Sequence, residues 1–239
     1  MKLAVISGGS KGLGAAIAKR YLDDGFQVLE FSRSAPHAFS AQADFSDPPR
    51  AVGIITRELA LLAKISFEEI VVVSNAGTVQ PIGPAARKDP SEIIANLAVN
   101  VTSATLFISA AIRQFQDQAC RKTVVQITSG AALKAYFGWS LYCSAKAGME
   151  SFIRSVALEQ EGEAHSFLAI SIDPGIMDTE MQGAIRSANE QDFPDLRRFL
   201  ALQESGSLRP ASQVAQLVAN IVSQNTGSGL HYSVRDFSL

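Results

Sequence analysis

The chain has 239 residues, 47% of them hydrophobic and 18% charged, which is enough for one sizeable core. A net charge of −2 and a pI near 5.9 offer no basic field for nucleic acid or an acidic membrane surface. Cys120 and Cys143 make no disulfide framework, and His37, His165 and His231 lack ligand spacing, so neither a disulfide scaffold nor a metal is expected.

Residues 3–7 (LAVIS) form a short apolar run ending in Gly8-Gly9-Ser10-Lys11-Gly12-Leu13-Gly14, and a helix-like stretch, 15–22, follows before Gly25. Strand, glycine turn and helix in this order suit a phosphate: the glycines allow close backbone approach, and the helix start presents free N–H groups. No apolar run approaches the length of a membrane span, and a working motif beginning by Ser7 leaves no room for a signal peptide. A cytoplasmic location is therefore expected, with no membrane partner.

Residues 26–32 (FQVLEFS) read as the second strand, followed by Arg33. In dinucleotide folds an acidic residue near this point binds the adenosine ribose hydroxyls, whereas a basic one accommodates a 2′-phosphate. Ser32-Arg33, with Lys11 in the glycine turn, points to NADP(H); Glu30 lies two residues too early for the acidic role. Residues 41–44 suggest a short third strand with Asp44 at its end, and Asp47-Pro48-Pro49 starts a helix that runs toward Lys64. A fourth strand, 70–74, leads into Asn75-Ala76-Gly77, and a long helical pattern over about 91–116 contains Asn100.

The fifth strand, 123–127 (TVVQI), places Ser129 at a strand's C-terminal end, where open α/β sheets collect their functional groups. Tyr142 and Lys146 follow at Tyr-x-x-x-Lys spacing, one turn apart on one face of a helix. A nearby ammonium favours a phenolate and so lowers the tyrosine pKa, which would fit Tyr142 to exchange a proton with a carbonyl or alcohol oxygen held by Ser129. Taken alone, Tyr-x-x-x-Lys is more often a solvated helix face; its weight comes from the rest of the chain. Cys143, about 100° away on the helix, should face the packing side. Phe137 and Trp139 are candidates for substrate contact or for core.

A sixth strand, 167–172, ends in Asp173-Pro174-Gly175. Residues 176–210 carry Met177, Met181, Phe193, Phe199 and Leu200 without a strand pattern, and are expected to form a mobile, partly helical cover. A helix, 211–223, and a strand, 230–234, complete the chain. Strands alternate with helices throughout, which predicts a single α/β domain with a doubly wound parallel sheet.

With these residues in place, the chain resembles the short-chain dehydrogenase/reductase family over essentially its whole length. The family's Thr-Gly-x-x-x-Gly-x-Gly appears as Ser7-Gly8…Gly12-Leu13-Gly14, and its Asn-Asn-Ala-Gly as Ser74-Asn75-Ala76-Gly77, each with one departure expected at most to weaken strand-end hydrogen bonds. Asn100, Ser129, Tyr142, Lys146 and Pro174-Gly175…Thr179 match its remaining signatures in order. Local stretches around Thr78-Val79, Ala131-Ala132, Tyr136–Trp139 and Asp178–Gln182 are similar to a benzil-reductase-like, sepiapterin-reductase-related subgroup.

The resemblance implies a Rossmann-type three-layer fold and an NADPH-dependent carbonyl reductase that pairs with copies of itself as a homodimer or homotetramer. Asn100 would hold a water in a proton relay to Lys146, and Lys146 would also bond the nicotinamide ribose. Gly8, Ser10, Lys11, Gly12, Leu13, Gly14, Ser32, Arg33, Asp44, Asn75, Ala76, Gly77, Tyr142, Lys146, Pro174, Gly175, Ile176 and Thr179 would seat the cofactor. Ala131, Phe137, Trp139, Met177 and Met181 would face a small carbonyl substrate. The competing expectations are a pteridine-side-chain reductase and, from another class, a sensor that binds NADPH without turnover. The complete serine–tyrosine–lysine set speaks against the sensor.

Overall fold

The computed structural model describes residues 1–206, 208–225 and 227–237. Its strands are β1 (Lys2–Ser7), β2 (Phe26–Ser32), β3 (Ser40–Gln42), β4 (Glu69–Ser74), β5 (Arg121–Ile127), β6 (Leu168–Asp173) and β7 (His231–Ser233). They form one sheet in the order β3-β2-β1-β4-β5-β6-β7, with every neighbouring pair parallel. Val71, Val72 and Val73 of β4 are all fully buried, which is why the central strands read as continuous apolar runs rather than alternating ones. Each such side chain contributes about 1.5–3 kcal/mol of burial free energy.

The helices are α1 (Gly12–Asp23), α2 (Pro48–Leu62), α3 (Pro90–Leu97), α4 (Ala104–Phe115), α5 (Ser140–Gln160), α6 (Glu180–Arg186), α7 (Leu196–Glu204) and α8 (Ala211–Gln224). One face of the sheet packs on α2, α4 and α5 through Ile55, Leu59, Phe107, Phe115, Met149 and Ile153. The other packs on α1 and α8 through Leu13, Ile17, Val214, Leu217 and Ile221. The α2 start is set as its sequence suggests: Asp47 Oδ1 accepts the Arg50 N–H at 3.3 Å, and prolines occupy the first positions. Because β1 lies between β2 and β4, the strand order reverses there, and a crevice opens at the strands' C-terminal ends.

Several expectations change. The third strand is Ser40–Gln42, so Asp44 stands two residues beyond it; the last is His231–Ser233, with Val234 in a 3₁₀ turn. The long helical pattern over 91–116 is not regular: a π-turn, Ala98–Ser103, separates α3 from α4. This helix also corrects the reading of apolar runs, since Pro90–Phe115 is 26 residues long, with a window of mean hydropathy 1.6. It reaches that value because one side is core: Phe107, Ile108, Ala111 and Phe115 lie against the sheet.

Most of the apolar residues of α5 face inward. Met149, Ile153 and Val156 are buried within the chain's own core. What α5 exposes is mostly small, Ser140, Ser144, Ala147, Gly148, Ser151 and Ser155, together with Arg154, Leu158 and Glu159.

Candidate active site

A cleft of about 700 Å³ runs across the C-terminal ends of β1, β2, β4, β5 and β6. One end is built on the glycine turn. Gly8 and Gly12 have φ of 72° and 56°, left-handed values that favour glycine. A Cβ on Gly14 would lie 2.0 Å from the Gly8 carbonyl oxygen, so only glycine lets α1 close onto the turn. Gly8, Lys11, Gly12 and Leu13 line the cleft, whereas Ser10 and Gly14 do not. Beyond the turn the wall is Phe31, Ser32, Arg33, Asp44, Phe45 and Ser46. Partial burial acts to raise the Asp44 carboxyl, but the Ser46 N–H and hydroxyl and the Arg33 charge together hold it below its ordinary value.

The two departures from the family signatures behave differently. Ser7 Oγ accepts the N–H groups of Asn75 and Ala76 at 3.0 and 3.1 Å, and Asn75 Nδ2 donates to the Ser7 and Gly8 carbonyls at 3.3 and 2.9 Å. The first departure therefore keeps the hydroxyl's work of joining β1 to β4. The Ser74 hydroxyl, at the second departure, is buried with no hydrogen-bond partner among the described residues.

The other end of the cleft holds the polar trio. Ser129 caps a short 3₁₀ turn, its Oγ accepting the Ala131 N–H at 3.2 Å. Tyr142 and Lys146 lie one turn apart on α5, both buried, with Lys146 Nζ 5.6 Å from the Tyr142 ring centre. Lys146 Nζ donates to the Ile127 carbonyl at 2.8 Å, which fixes the amine at the end of β5. Asn100, set in the π-turn, exchanges two 2.8 Å hydrogen bonds with the Thr78 backbone, and its Nδ2 also donates to Asn96 Oδ1 at 3.1 Å. A Cβ on Gly77 would lie 3.2 Å from Asn100 Oδ1 and 3.8 Å from Lys146 Nζ; Lys146 lines the cleft, whereas Asn100 is buried behind its wall.

The electrostatics differ from the sequence expectation. Burial pushes the Tyr142 phenol up to about 12, although its hydrogen bond with Ser129 acts to lower it. Burial also pulls Lys146 down to about 8, against the raising effects of Glu150 and Asp173. In the cofactor-free chain the dominant influence on the tyrosine is desolvation, not a neighbouring ammonium.

Around the trio the walls turn apolar. Val79, Ala131, Tyr136, Trp139, Met177, Met181, Ile185 and Phe199 line this end. Trp139 is stacked on Phe193 with ring centres 4.7 Å apart and planes at 16°, and it also meets Phe199 and Tyr142 at 5.5 and 5.6 Å. The covering segment thus supplies half of an aromatic cluster. Phe137 is a correction: it is 58% exposed and outside the cleft. Gly138, at φ 79°, turns the chain against the Asp192 backbone and directs Trp139 inward and its neighbour out. Cys143 packs at the edge of this cluster, its sulfur 3.6 Å from the Lys134 carbonyl.

The cover itself is ordered around α6 and α7, and a bridge between Met177 and Arg209 joins its ends. Pro174, Gly175, Ile176 and Thr179 line the cleft at its root, and a Cβ on Gly12 would lie 3.6 Å from the Thr179 methyl. Lys11 forms an ion pair with Glu180 at the start of α6, so the glycine turn touches the cover directly. Val79, Ile185 and Tyr136 were not foreseen as lining residues. They come from three separate segments, and only packing brings them together.

Comparison with known proteins agrees with this geometry. Residues 2–190 match the model for short chain dehydrogenase. A benzil reductase ((S)-benzoin forming) of Bacillus subtilis (strain 168) is 37% identical over 99% of this chain and 100% of that one. The sepiapterin reductase of Meriones unguiculatus is 29% identical over 98% of this chain and 96% of that one. Among solved structures, the KRED1-Pglu enzyme superposes with a TM-score of 0.83 at 26% identity, over 97% of this chain and 100% of that one. The parallel sheet, the glycine turn and the serine–tyrosine–lysine cluster therefore stand on a chain that belongs to the short-chain dehydrogenase family of nicotinamide-dependent oxidoreductases.

Proposed function

We propose that this chain is an NADPH-dependent reductase of ketones and diketones, acting on bulky aromatic 1,2-dicarbonyls of the benzil type. One observation carries this: Ser129, Tyr142 and Lys146 meet at an aromatic-walled end of a cleft whose far end presents a glycine turn and Arg33. Glycines at which a side chain would strike Gly8 or Ala76 make a cradle that fits a dinucleotide's phosphates. The nicotinamide supplies a hydride to the carbonyl carbon when it is bound.

The chain's residues supply the rest. Tyr142, neutral at physiological pH because burial raises it to about 12, is in the form that donates a proton to the carbonyl oxygen. Ser129 donates a hydrogen bond to the same oxygen and holds it in place. Lys146, charged below about pH 8, stabilises the negative charge left on Tyr142. Asn100 is assigned the water of a relay that returns a proton to Lys146. Trp139, Tyr136, Phe199 and Val79 exclude water and offer flat apolar walls to an aryl group.

The experiment is carbonyl-dependent consumption of NADPH, with benzil and sepiapterin in parallel. Consumption with benzil well above that with sepiapterin is expected. Sepiapterin preference would move the substrate to the pteridines, and consumption with neither would leave a binding protein.

The cover over 176–210 closes on the loaded site through Phe193, Phe199 and the Lys11–Glu180 pair. Hydrogen exchange over the cover should slow when NADPH and a slow substrate are added; equal protection in both states would make it a fixed wall. We also infer a homodimer or homotetramer, in which the small exposed residues of α5 let a second copy approach closely. A monomer mass in sedimentation equilibrium at micromolar concentration would exclude it.

A further inference from the structure

Behind the wall of the cleft's adenosine end, next to the lining residue Ser32, lies a carboxylate that the proposed function does not use. Glu30 is fully buried in β2, two residues before Ser32 and on the same side of the strand. Its Oε2 accepts the Gly9 N–H at 3.1 Å, and its Oε1 accepts the Ser32 hydroxyl at 3.0 Å and the Ser40 hydroxyl as well. The fit to the glycine turn is tight, since a Cβ on Gly9 would lie 2.7 Å from Glu30 Cβ.

We propose that Glu30 is a specificity-setting residue, one that weakens the preference for a 2′-phosphate that Arg33 creates. This rests on the NADP(H) reading and deepens it. A serine hydroxyl has one proton to give. Ser32 gives its proton to Glu30 and accepts the Ala35 N–H at 3.1 Å. Ser40 gives its own to Glu30 and accepts the His37 N–H at 3.0 Å. The Gly9 N–H is spent on the same carboxylate. Three donors are thus turned toward an internal anion, and one of them, Ser32, lines the cleft, where it would otherwise meet an incoming one.

The carboxylate's own charge opposes a phosphate dianion more than it opposes a ribose hydroxyl, which is neutral and can donate. Ser32, the strand-end residue expected to help seat the 2′-phosphate, therefore has no proton to offer it. Arg33 carries that role with Lys11, and Lys11 is shared with Glu180.

Glu30→Gln tests this. The amide keeps the shape and one acceptor for Gly9, removes the charge, and brings its own N–H donors, which releases a hydroxyl proton of Ser32 or Ser40. Two readouts are compared in the folded variant. One is equilibrium binding of adenosine 2′,5′-bisphosphate against 5′-AMP to the cofactor-free protein. The other is the ratio of kcat/KM for NADPH and NADH. Both ratios should rise about fivefold or more, and adding Ser32→Ala to Glu30→Gln should take back part of the gain. Unchanged or lower ratios overturn the proposal.

Should Glu30→Gln fail to fold, Ser32→Ala alone decides. A fall in the binding ratio of more than about fivefold would show the hydroxyl on the phosphate and refute the assignment, whereas a change under about twofold supports it. Wild-type preference for NADH with ratios that still climb in Glu30→Gln would sink the NADP(H) reading and leave Glu30's role intact.

Discussion

The two ends of the cleft are built in different ways. The cofactor end hangs on strand termini and backbone: Gly8, Asn75 and Ala76 are tied to one another through Ser7 and Asn75 across β1 and β4. The substrate end is a contact between the β5–α5 connection and the covering segment, with Trp139 on one side and Phe193 and Phe199 on the other. Strand ends are rigid and cannot move without breaking the sheet. The proposed closing of the cover needs only stacked rings and the ion pairs of Lys11 with Glu180 and of Arg87 and Lys88 with Asp192 to rearrange. Cofactor recognition should therefore resist change and depend on single charges, while substrate recognition should be plastic and spread over several rings.

The largest effect belongs to the point where the two ends meet. Tyr142→Phe keeps the ring and its packing against Trp139 and removes only the proton, so turnover should fall about 10²–10⁴-fold while NADPH binding, followed by fluorescence titration, hardly changes. Near-normal turnover would break the division of labour itself.

Next comes the cofactor end. Arg33→Ala removes a charge-assisted bond of about 1.5–3 kcal/mol to the 2′-phosphate. kcat/KM for NADPH should fall by one to two orders of magnitude and that for NADH should stay put. Lys11→Ala should do the same more weakly, since Lys11 is already shared with Glu180. Equal losses with both cofactors would show that Arg33 shapes the cleft instead of reading the phosphate.

The substrate end should respond less to any one change. Phe193→Leu keeps an apolar side chain but removes the stack on Trp139, so KM for benzil should rise about three- to tenfold with unchanged KM for NADPH. A rise in both would mean that the two ends are not separable.

The smallest expected effect is a pH dependence of the cofactor-free protein. Lys146 is held at about 8 against an ordinary 10.5. The unfolded chain therefore binds more protons between those values. The folded state carries the full cost of a buried cation below about pH 8 and sheds it as pH rises toward 10.5, so stability from this group climbs over that window. Lys146→Met should lose that climb in urea melts taken across the range, and an NMR titration of the lysine should show its midpoint near 8. A midpoint near 10.5 would show that the amine is hydrated.

The same contrast explains what the sequence revealed. Residues 8–14, Asn75–Gly77 and Tyr142–Lys146 are local spacings at strand ends or on one helix face. The sheet's geometry fixes where they go, so their convergence was legible. Phe137 and Trp139 look alike in the sequence, and which of them turns inward depends on Gly138 meeting Asp192, a contact between segments far apart in the chain. The pKa directions were hidden for a related reason. Tyr-x-x-x-Lys declares a neighbouring charge, but burial of both groups, which outweighs it, is a property of the folded cleft. Glu30 was visible but misplaced in importance, because its partners Gly9 and Ser40 lie 21 and 10 residues away.

The wide turn at Ala98–Ser103 has a consequence for how this chain tolerates change in length. An α-helix advances about 100° per residue, and the π-turn inserts one residue's worth of phase between α3 and α4. Asn96 and Asn100 use that phase to reach the Gln80 and Thr78 backbones, while Phe107, Ala111 and Phe115 use it to reach the sheet. Straightening this turn into a regular α-helix with every residue kept would rotate α4 by about 100° against α3. Either the asparagines would leave the Gln80 and Thr78 backbones or the phenylalanines would leave the core. Loss of one residue within the turn, by contrast, is absorbed by the narrower helix. The wide turn is therefore what matches the residue count of this helix to the two surfaces it serves.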